Sequence, residues 1–191
     1  MTLVVYLISL IITDIDTINK NEASRWVSVY PEIGKKYKTG NNTVKSWVPN
    51  IDAFDEVVSL SLDKKESIDF PVRVAYQYKI EVQIGLKKEE IYPYTFEDAL
   101  IFENINVFRT LKGIGLIGKV FSILSEKKDA KSIGIALYEA LGSAEKAKFA
   151  LELLFLNDPK TLVPPKYISE CLEWLRKKLT IAKSNLPNNL N

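Results

Sequence analysis

The sequence predicts an α/β fold, a partial sheet of mainly parallel strands followed by a helical C-terminal region. Three observations carry that reading. A short β-branched apolar run, Ser9 to Thr13, stops at two aspartates, Asp14 and Asp16. Continuous apolar character suits a strand covered on both faces. From Val72 to Ile84, Val72, Val74, Tyr76, Tyr78, Ile80, Val82 and Ile84 alternate with Arg73, Ala75, Gln77, Lys79, Glu81 and Gln83. That period of two predicts one extended segment with a solvated face, at an edge or in a hairpin. Beyond Pro93 one helical pattern follows another.

The elements can be taken in order. The apolar run from Leu3 to Ile12 has no basic flank and no small-residue cleavage site. It is too short to span a bilayer, so it reads as a buried strand of a cytoplasmic chain with no membrane partner. Asn19 to Asn42 is polar with scattered aromatics and reads as a loop or irregular excursion, with Lys35, Lys36 and Lys38 clustered ahead of Gly40. Thr43 to Trp47 reads as a short helix that Pro49 terminates, and Ala53 to Leu62 as a second. Thr95 opens a helix to Phe108 with a Thr-x-x-Asp cap. Further helices are expected at Val120–Glu126, at Ser132–Leu141, from a Ser143 cap to Leu156, and at Lys166–Lys183 behind Pro164-Pro165. The Asn-rich end, residues 184–191, is expected to be a disordered tail.

Composition removes several chemistries. The 191 residues include no histidine, which excludes Ser-His-Asp and Cys-His sites and the usual zinc sites within this chain. Cys171 is the single cysteine, so no intrachain disulfide exists, and its helical surroundings predict a packing role. The net charge is +2, from 26 basic and 24 acidic residues, so any nucleic-acid surface must come from local clustering. Trp26, Trp47 and Trp174 read as core or half-buried anchors.

Among candidate sites the Asp14-Ile15-Asp16 element comes first. In an extended segment the two carboxylates share a side roughly 7 Å apart, and the carboxyl end of a parallel strand is where α/β folds place ligands. Such a pair suits Mg²⁺, a hard cation bound through oxygen; a plain turn is the competing reading. Glu97 and Asp98 lie in the first turn of a helix, where the macrodipole favours carboxylates in any case. Lys146 lies in a first turn, where a lysine is mildly unfavourable. Gly113 to Gly118 matches G-x-G-x-x-G, but no convincing strand leads into it, and Val120 stands where a phosphate-binding loop needs a hydroxyl. A loop opening a helix accounts for those glycines.

Taken in order, these segments resemble a family. Leu10-Ile11-Ile12-Thr13-Asp14-Ile15-Asp16-Thr17 looks like the D-x-D strand of the Toprim domain in OLD-family (overcoming lysogenization defect) ATP-dependent endonucleases. Thr39-Gly40-Asn41-Asn42-Thr43 through Trp47 is similar to that family's Thr-Ser-Asn…Trp stretch. Val74-Ala75-Tyr76-Gln77, Tyr94-Thr95-Phe96-Glu97-Asp98-Ala99, Lys146-Ala147-Lys148-Phe149-Ala150 and Pro165-Lys166-Tyr167-Ile168 with Trp174-Leu175 follow in the same order.

The resemblance implies a Toprim-like domain over residues 1–110, with residues 111–183 as its helical C-terminal part. It also implies Mg²⁺- or Mn²⁺-dependent cleavage of DNA by a two-metal route. Asp14 and Asp16 would be metal ligands, Glu97 an acidic member of the same site, and Lys146 a group steadying phosphate charge. The family's glutamate motif and its strand stand well ahead of the D-x-D element, and here thirteen residues precede Asp14. Lys148 stands where an acidic residue is usual. The chain is therefore expected to be the C-terminal part of a longer protein, inactive alone, working on DNA beside a separate ATPase-domain polypeptide or a further copy of itself. The alternative is a degenerate, non-catalytic Toprim-like module that contacts protein or nucleic acid.

Overall fold

The apolar run ahead of the two aspartates is a strand, β1 (Ser9–Ile12), in the computed structural model, which describes residues 7–142, 146–156 and 158–184. The chain then turns at Asp16, whose φ is 52°, into three short antiparallel strands, β2 (Thr17–Lys20), β3 (Trp26–Ser28) and β4 (Lys38–Thr39), ordered β3-β2-β4. Helices α1 (Asn42–Ser46) and α2 (Phe54–Ser59) and a 3-10 turn at Leu62–Lys65 lead to β5 (Val72–Ala75). β5 lies parallel to β1, with Ser9 opposite Val72 and Ile12 opposite Ala75. The hairpin β6 (Ile80–Ile84) and β7 (Lys87–Ile91) follows. Among the described residues six α-helices follow: α3 (Phe96–Glu103), α4 (Ile105–Phe108), α5 (Gly115–Glu126), α6 (Ala130–Gly142), α7 (Lys146–Leu156) and α8 (Lys166–Ser184).

The α/β class is as expected, with parallel pairing between β1 and β5 and antiparallel pairing in the other two sheets. Two expectations need correction. The segment Val72–Ile84 is not one strand: residues 76–79 leave the ladder between β5 and β6. Nor is its polar face solvated along its length. Arg73 and Gln77 are buried because α8 covers them. The Arg73 guanidinium donates to the Leu62 carbonyl at 2.8 Å and stacks over the Trp174 ring, whose Nε1 donates to Glu66 at 2.8 Å. Alternation here records two protein-covered faces, one of which holds paired polar groups. Only β6 behaves as foreseen, as half of a hairpin.

The excursion from Asn19 to Asn42 is also more ordered than its composition indicates. Backbone pairing of Ile18 with Ser28 and with Lys38 builds the small sheet. Asn21 closes its turn by accepting the Arg25 N–H at 3.0 Å. β3 is exposed at every residue, so no burial periodicity marks it.

The largest core is helical and packs α3 to α7 around the β6–β7 hairpin. Phe108 of α4, fully buried, stacks on Phe149 of α7 with ring centroids 6.2 Å apart. The single helix expected from Thr95 to Phe108 breaks at Asn104. The Asn104 side chain donates to the Val163 carbonyl and accepts its N–H, both at 2.8 Å, and so ties the approach to α8 against α3. Val44, Phe54, Val57, Val74 and Tyr76 form a second cluster beneath α1 and α2. Cys171 is buried and unbridged, and Trp174 is buried, while Trp26 and Trp47 are about half exposed. Ser143 and residues 185–191, expected as a cap and a tail, lie outside the described residues. Among the described residues no helix is long and apolar enough to cross a membrane.

Truncating the Phe108–Phe149 stack leaves a cavity between α4 and α7. Phe108→Ala is expected to cost about 3–5 kcal/mol, read as a lower urea midpoint at unchanged slope.

Candidate acidic cleft

Asp14 and Asp16 face one cleft of about 440 Å³ with Lys146, Tyr94 and Tyr138. Their shared orientation does not come from strand alternation. β1 ends at Ile12, and although Thr13 still donates to the Ala75 carbonyl at 3.0 Å, Asp16 adopts a left-handed conformation. Few residues other than Gly, Asn and Asp occupy that region readily. The turn is held from the β4–α1 loop. Gly40 N–H donates to the Asp16 carbonyl at 2.7 Å, and the Thr39 hydroxyl donates to the Ile15 carbonyl. A Cβ on Gly40 would stand 3.2 Å from the Asp16 carbonyl oxygen and 3.1 Å from the Ile18 side chain, so glycine permits this approach.

Asn41 does three tasks at this turn. It caps α1, its Oδ1 accepting the Val44 N–H at 3.2 Å. Its Nδ2 lies 2.8 Å from the Asp14 carbonyl oxygen, 2.7 Å from the Thr13 hydroxyl and 3.5 Å from the Asp16 carboxylate.

The Asp14 carboxylate is gripped from two further elements. Gln77, just past β5 and buried, donates from Nε2 to Asp14 Oδ1 at 2.5 Å, while its Oε1 accepts the Ile15 N–H at 2.9 Å. The Phe96 N–H in the first turn of α3 reaches the same Oδ1 at 3.1 Å. A carboxylate at a helix N-terminus gains from unsatisfied amides and the macrodipole together. Gln77 also lies 3.4 Å from the Tyr167 hydroxyl on α8.

Glu97 and Lys146 meet. Lys146 Nζ lies 3.0 Å from Glu97 Oε2, on a carboxylate that is largely buried. That oxygen makes no hydrogen bond of good geometry, so the ion pair leaves it with capacity to spare. Asp98 has a separate, structural task. Its buried carboxylate accepts the N–H groups of Tyr94 at 2.7 Å and Thr95 at 2.6 Å, completing the expected cap of α3, and burial pushes its pKa up to about 7. Burial also raises Asp14, against the lowering effect of the Gln77 bond and Lys146. Burial raises Asp16 in the same way, opposed by Asn41 and Lys146. For Lys146, desolvation lowers the pKa, but the carboxylates of Glu97, Asp14 and Asp98 outweigh it and the net shift is upward.

Thus Asp14, Asp16 and Lys146 line one cleft, and Glu97 joins it through Lys146. Among the described residues no three acidic side chains stand close enough to form a ready metal cage. The donor chemistry of the two carboxylates that line the cleft, Asp14 and Asp16, nevertheless fits a hard dication that keeps several waters. The lysine cluster is not part of the cleft lining. Lys38 pairs with Asp52 at 2.5 Å, and Lys35 and Lys36 are exposed. Lys148 lines a separate groove beside α5 with Gly113 and Gly115. Helix α4, not a strand, precedes the glycines, and the Glu152 carboxylate accepts the Ile117 N–H of α5 at 3.3 Å.

Sequence reading missed Gln77, Tyr138 and Ser28. Gln77 stood on a face taken to be solvated, and Tyr138 and Ser28 carry no motif.

No family model matches the chain, and no solved structure matches it. The chain is similar to the Endonuclease GajA of Bacillus cereus (strain HuB5-5), at 28% identity over 183 residues. That stretch is 90% of this chain and 24% of the longer protein, so the chain spans about a quarter of its relative.

Two outcomes follow from the geometry. Gln77→Met keeps the volume but removes both bonds, leaving the Ile15 N–H unpaired in the core; a loss of about 1–3 kcal/mol in thermal denaturation is expected. Because the folded chain holds the Asp14 and Asp16 protons more tightly than the unfolded chain does, stability from these groups is greatest at low pH. It falls as pH rises above about 4 and through their raised folded values. Asp14→Asn is expected to flatten that fall when urea midpoints are compared between about pH 4 and pH 8.

Proposed function

We propose that this chain provides acidic metal ligands of a nuclease site that hydrolyses phosphodiester bonds in DNA with Mg²⁺ or Mn²⁺. The observation that carries the reading is the convergence of Asp14, Asp16 and Lys146 on one cleft. The similarity to an endonuclease along most of the chain supports it, as does the motif order of a Toprim domain. The cation, when bound, would polarise a phosphoryl oxygen and lower the pKa of a water.

The chain's own groups have distinct tasks in this scheme. Asp14 and Asp16 hold the cation. Gln77 and the Phe96 N–H fix the Asp14 carboxylate through its Oδ1 before the cation arrives, which lowers the cost of organising the site. Asn41 and Gly40 hold the turn that presents Asp16. Lys146, kept charged by its acidic neighbours, is placed to offset the charge that develops on a phosphate. With two open carboxylates the site binds metal weakly by itself, and an activating partner, a further copy or an ATPase polypeptide, would complete it.

Calorimetric titration with Mn²⁺, followed by plasmid nicking, tests the proposal. The Asp14→Ala, Asp16→Ala double variant should lose metal affinity by more than about 100-fold, the upper range for removing groups that merely support ligands. Metal affinity of the unaltered chain should climb with pH as the raised carboxylates lose their protons. Lys146→Ala should slow nicking by roughly 10²–10³ while leaving metal binding intact. Metal-independent DNA binding, indifferent to both aspartates, would instead establish the non-catalytic binding module.

A further inference from the structure

The cleft that holds the two aspartates also has aromatic lining. Tyr94, just ahead of α3, and Tyr138, on α6, both line the cleft and are only partly buried. Their rings meet edge to face at 4.9 Å and 83°. Behind them Tyr30 packs against Tyr138 at 6.1 Å. The array is fixed from below. Gly134 lies in the middle of α6, and a Cβ there would collide with the Tyr30 hydroxyl. A glycine inside a helix is unfavourable relative to alanine, so the sequence accepts a weaker helix in order to seat the tyrosine. Ser28 on β3 lines the same cleft as Tyr94.

A pair of packed rings that shares a cleft with two carboxylates and a lysine matches the two halves of a nucleotide. Aromatic side chains stack on any base because every base has a π-face. The cleft, about 440 Å³, has the size of a small-ligand site, and a base stacked inside a duplex cannot present its face to the rings. The net charge of +2 also argues against affinity built by neutralising many phosphates along a double helix. We infer that the cleft takes an unstacked nucleotide, its base against Tyr94 and Tyr138 and its phosphate toward Asp14, Asp16 and Lys146, so that single-stranded or locally opened DNA is the form acted upon. The orientation of the phosphate rests on the nuclease reading; the stacking of the base does not.

Fluorescence anisotropy with a short single-stranded oligodeoxynucleotide, its abasic counterpart and the corresponding duplex tests the inference on the full chain. The intact strand should bind about tenfold tighter than the abasic strand or the duplex, in the range of one base–aromatic stack. Tyr138→Leu should lose that advantage and Tyr138→Phe should keep it, whereas Asp14→Ala should abolish nicking and retain it. Equal binding of intact and abasic strands by the unaltered chain would overturn the inference, and so would tighter binding of the duplex. Base-dependent binding without aspartate-dependent nicking would uphold the stacking and remove the nuclease reading. Nicking without base dependence would do the reverse.

Discussion

Burying part of an ionised carboxylate pair is the constraint on which the arrangement around β1 depends. Asp14 stands just past the end of a parallel strand, partly buried, where its charge is costly unless donors meet it. One amide side chain answers most of that need. Gln77 binds the Asp14 carboxylate with its nitrogen and the Ile15 backbone with its oxygen, so it locks the strand end and the acid together. Its position is available only because β5 runs parallel beside β1 and places residue 77 beyond the strand's carboxyl end.

A second consequence concerns the helices. α3 begins where it does because Thr95 and Asp98 cap it, and the same start directs the Phe96 N–H at Asp14. The capping acid and the site acid are therefore neighbours, and the charge on Asp14 adds to the burial that raises the Asp98 pKa. Lys146, entering from α7, offsets this concentration of negative charge through Glu97. Helix start, buried cap and cleft electrostatics form one arrangement rather than three.

How much of this was legible in the sequence depends on which forces leave a periodic trace. β1, α1, α3 and α8 announced themselves through apolar runs, caps and Pro164-Pro165, since burial and capping select residue types locally. Asp14, Asp16, Glu97 and Lys146 were legible as residues, and their motif order suggested proximity. β2, β3 and β4 left no trace because strands of two to four residues are too short for a periodic pattern and are held by backbone bonds that any side chain allows. β7 reads as Lys-Lys-Glu-Glu-Ile, a sequence set by solvent and by cross-strand ion pairs such as Lys79–Glu90 and Lys88–Glu81. Gln77 was misassigned for a different reason: a polar residue alternating in a strand looks the same whether it faces water or a buried partner. Only the tertiary covering by α8 separates the two.

The Gln77–Tyr167 contact joins residues 90 positions apart, and α8 also covers β1 and β5. A chain emerging in order of synthesis would expose Asp14 early, yet it could not finish enclosing the acid's bonded partner until residue 167 had been added. Loop closures of this span form late, because their entropy is lost before the contacts repay it. Helix α8 therefore acts as a timer: the acidic cleft acquires its rigid geometry only once residue 167 has been made, and a polypeptide stopped short of it carries the aspartates without the site.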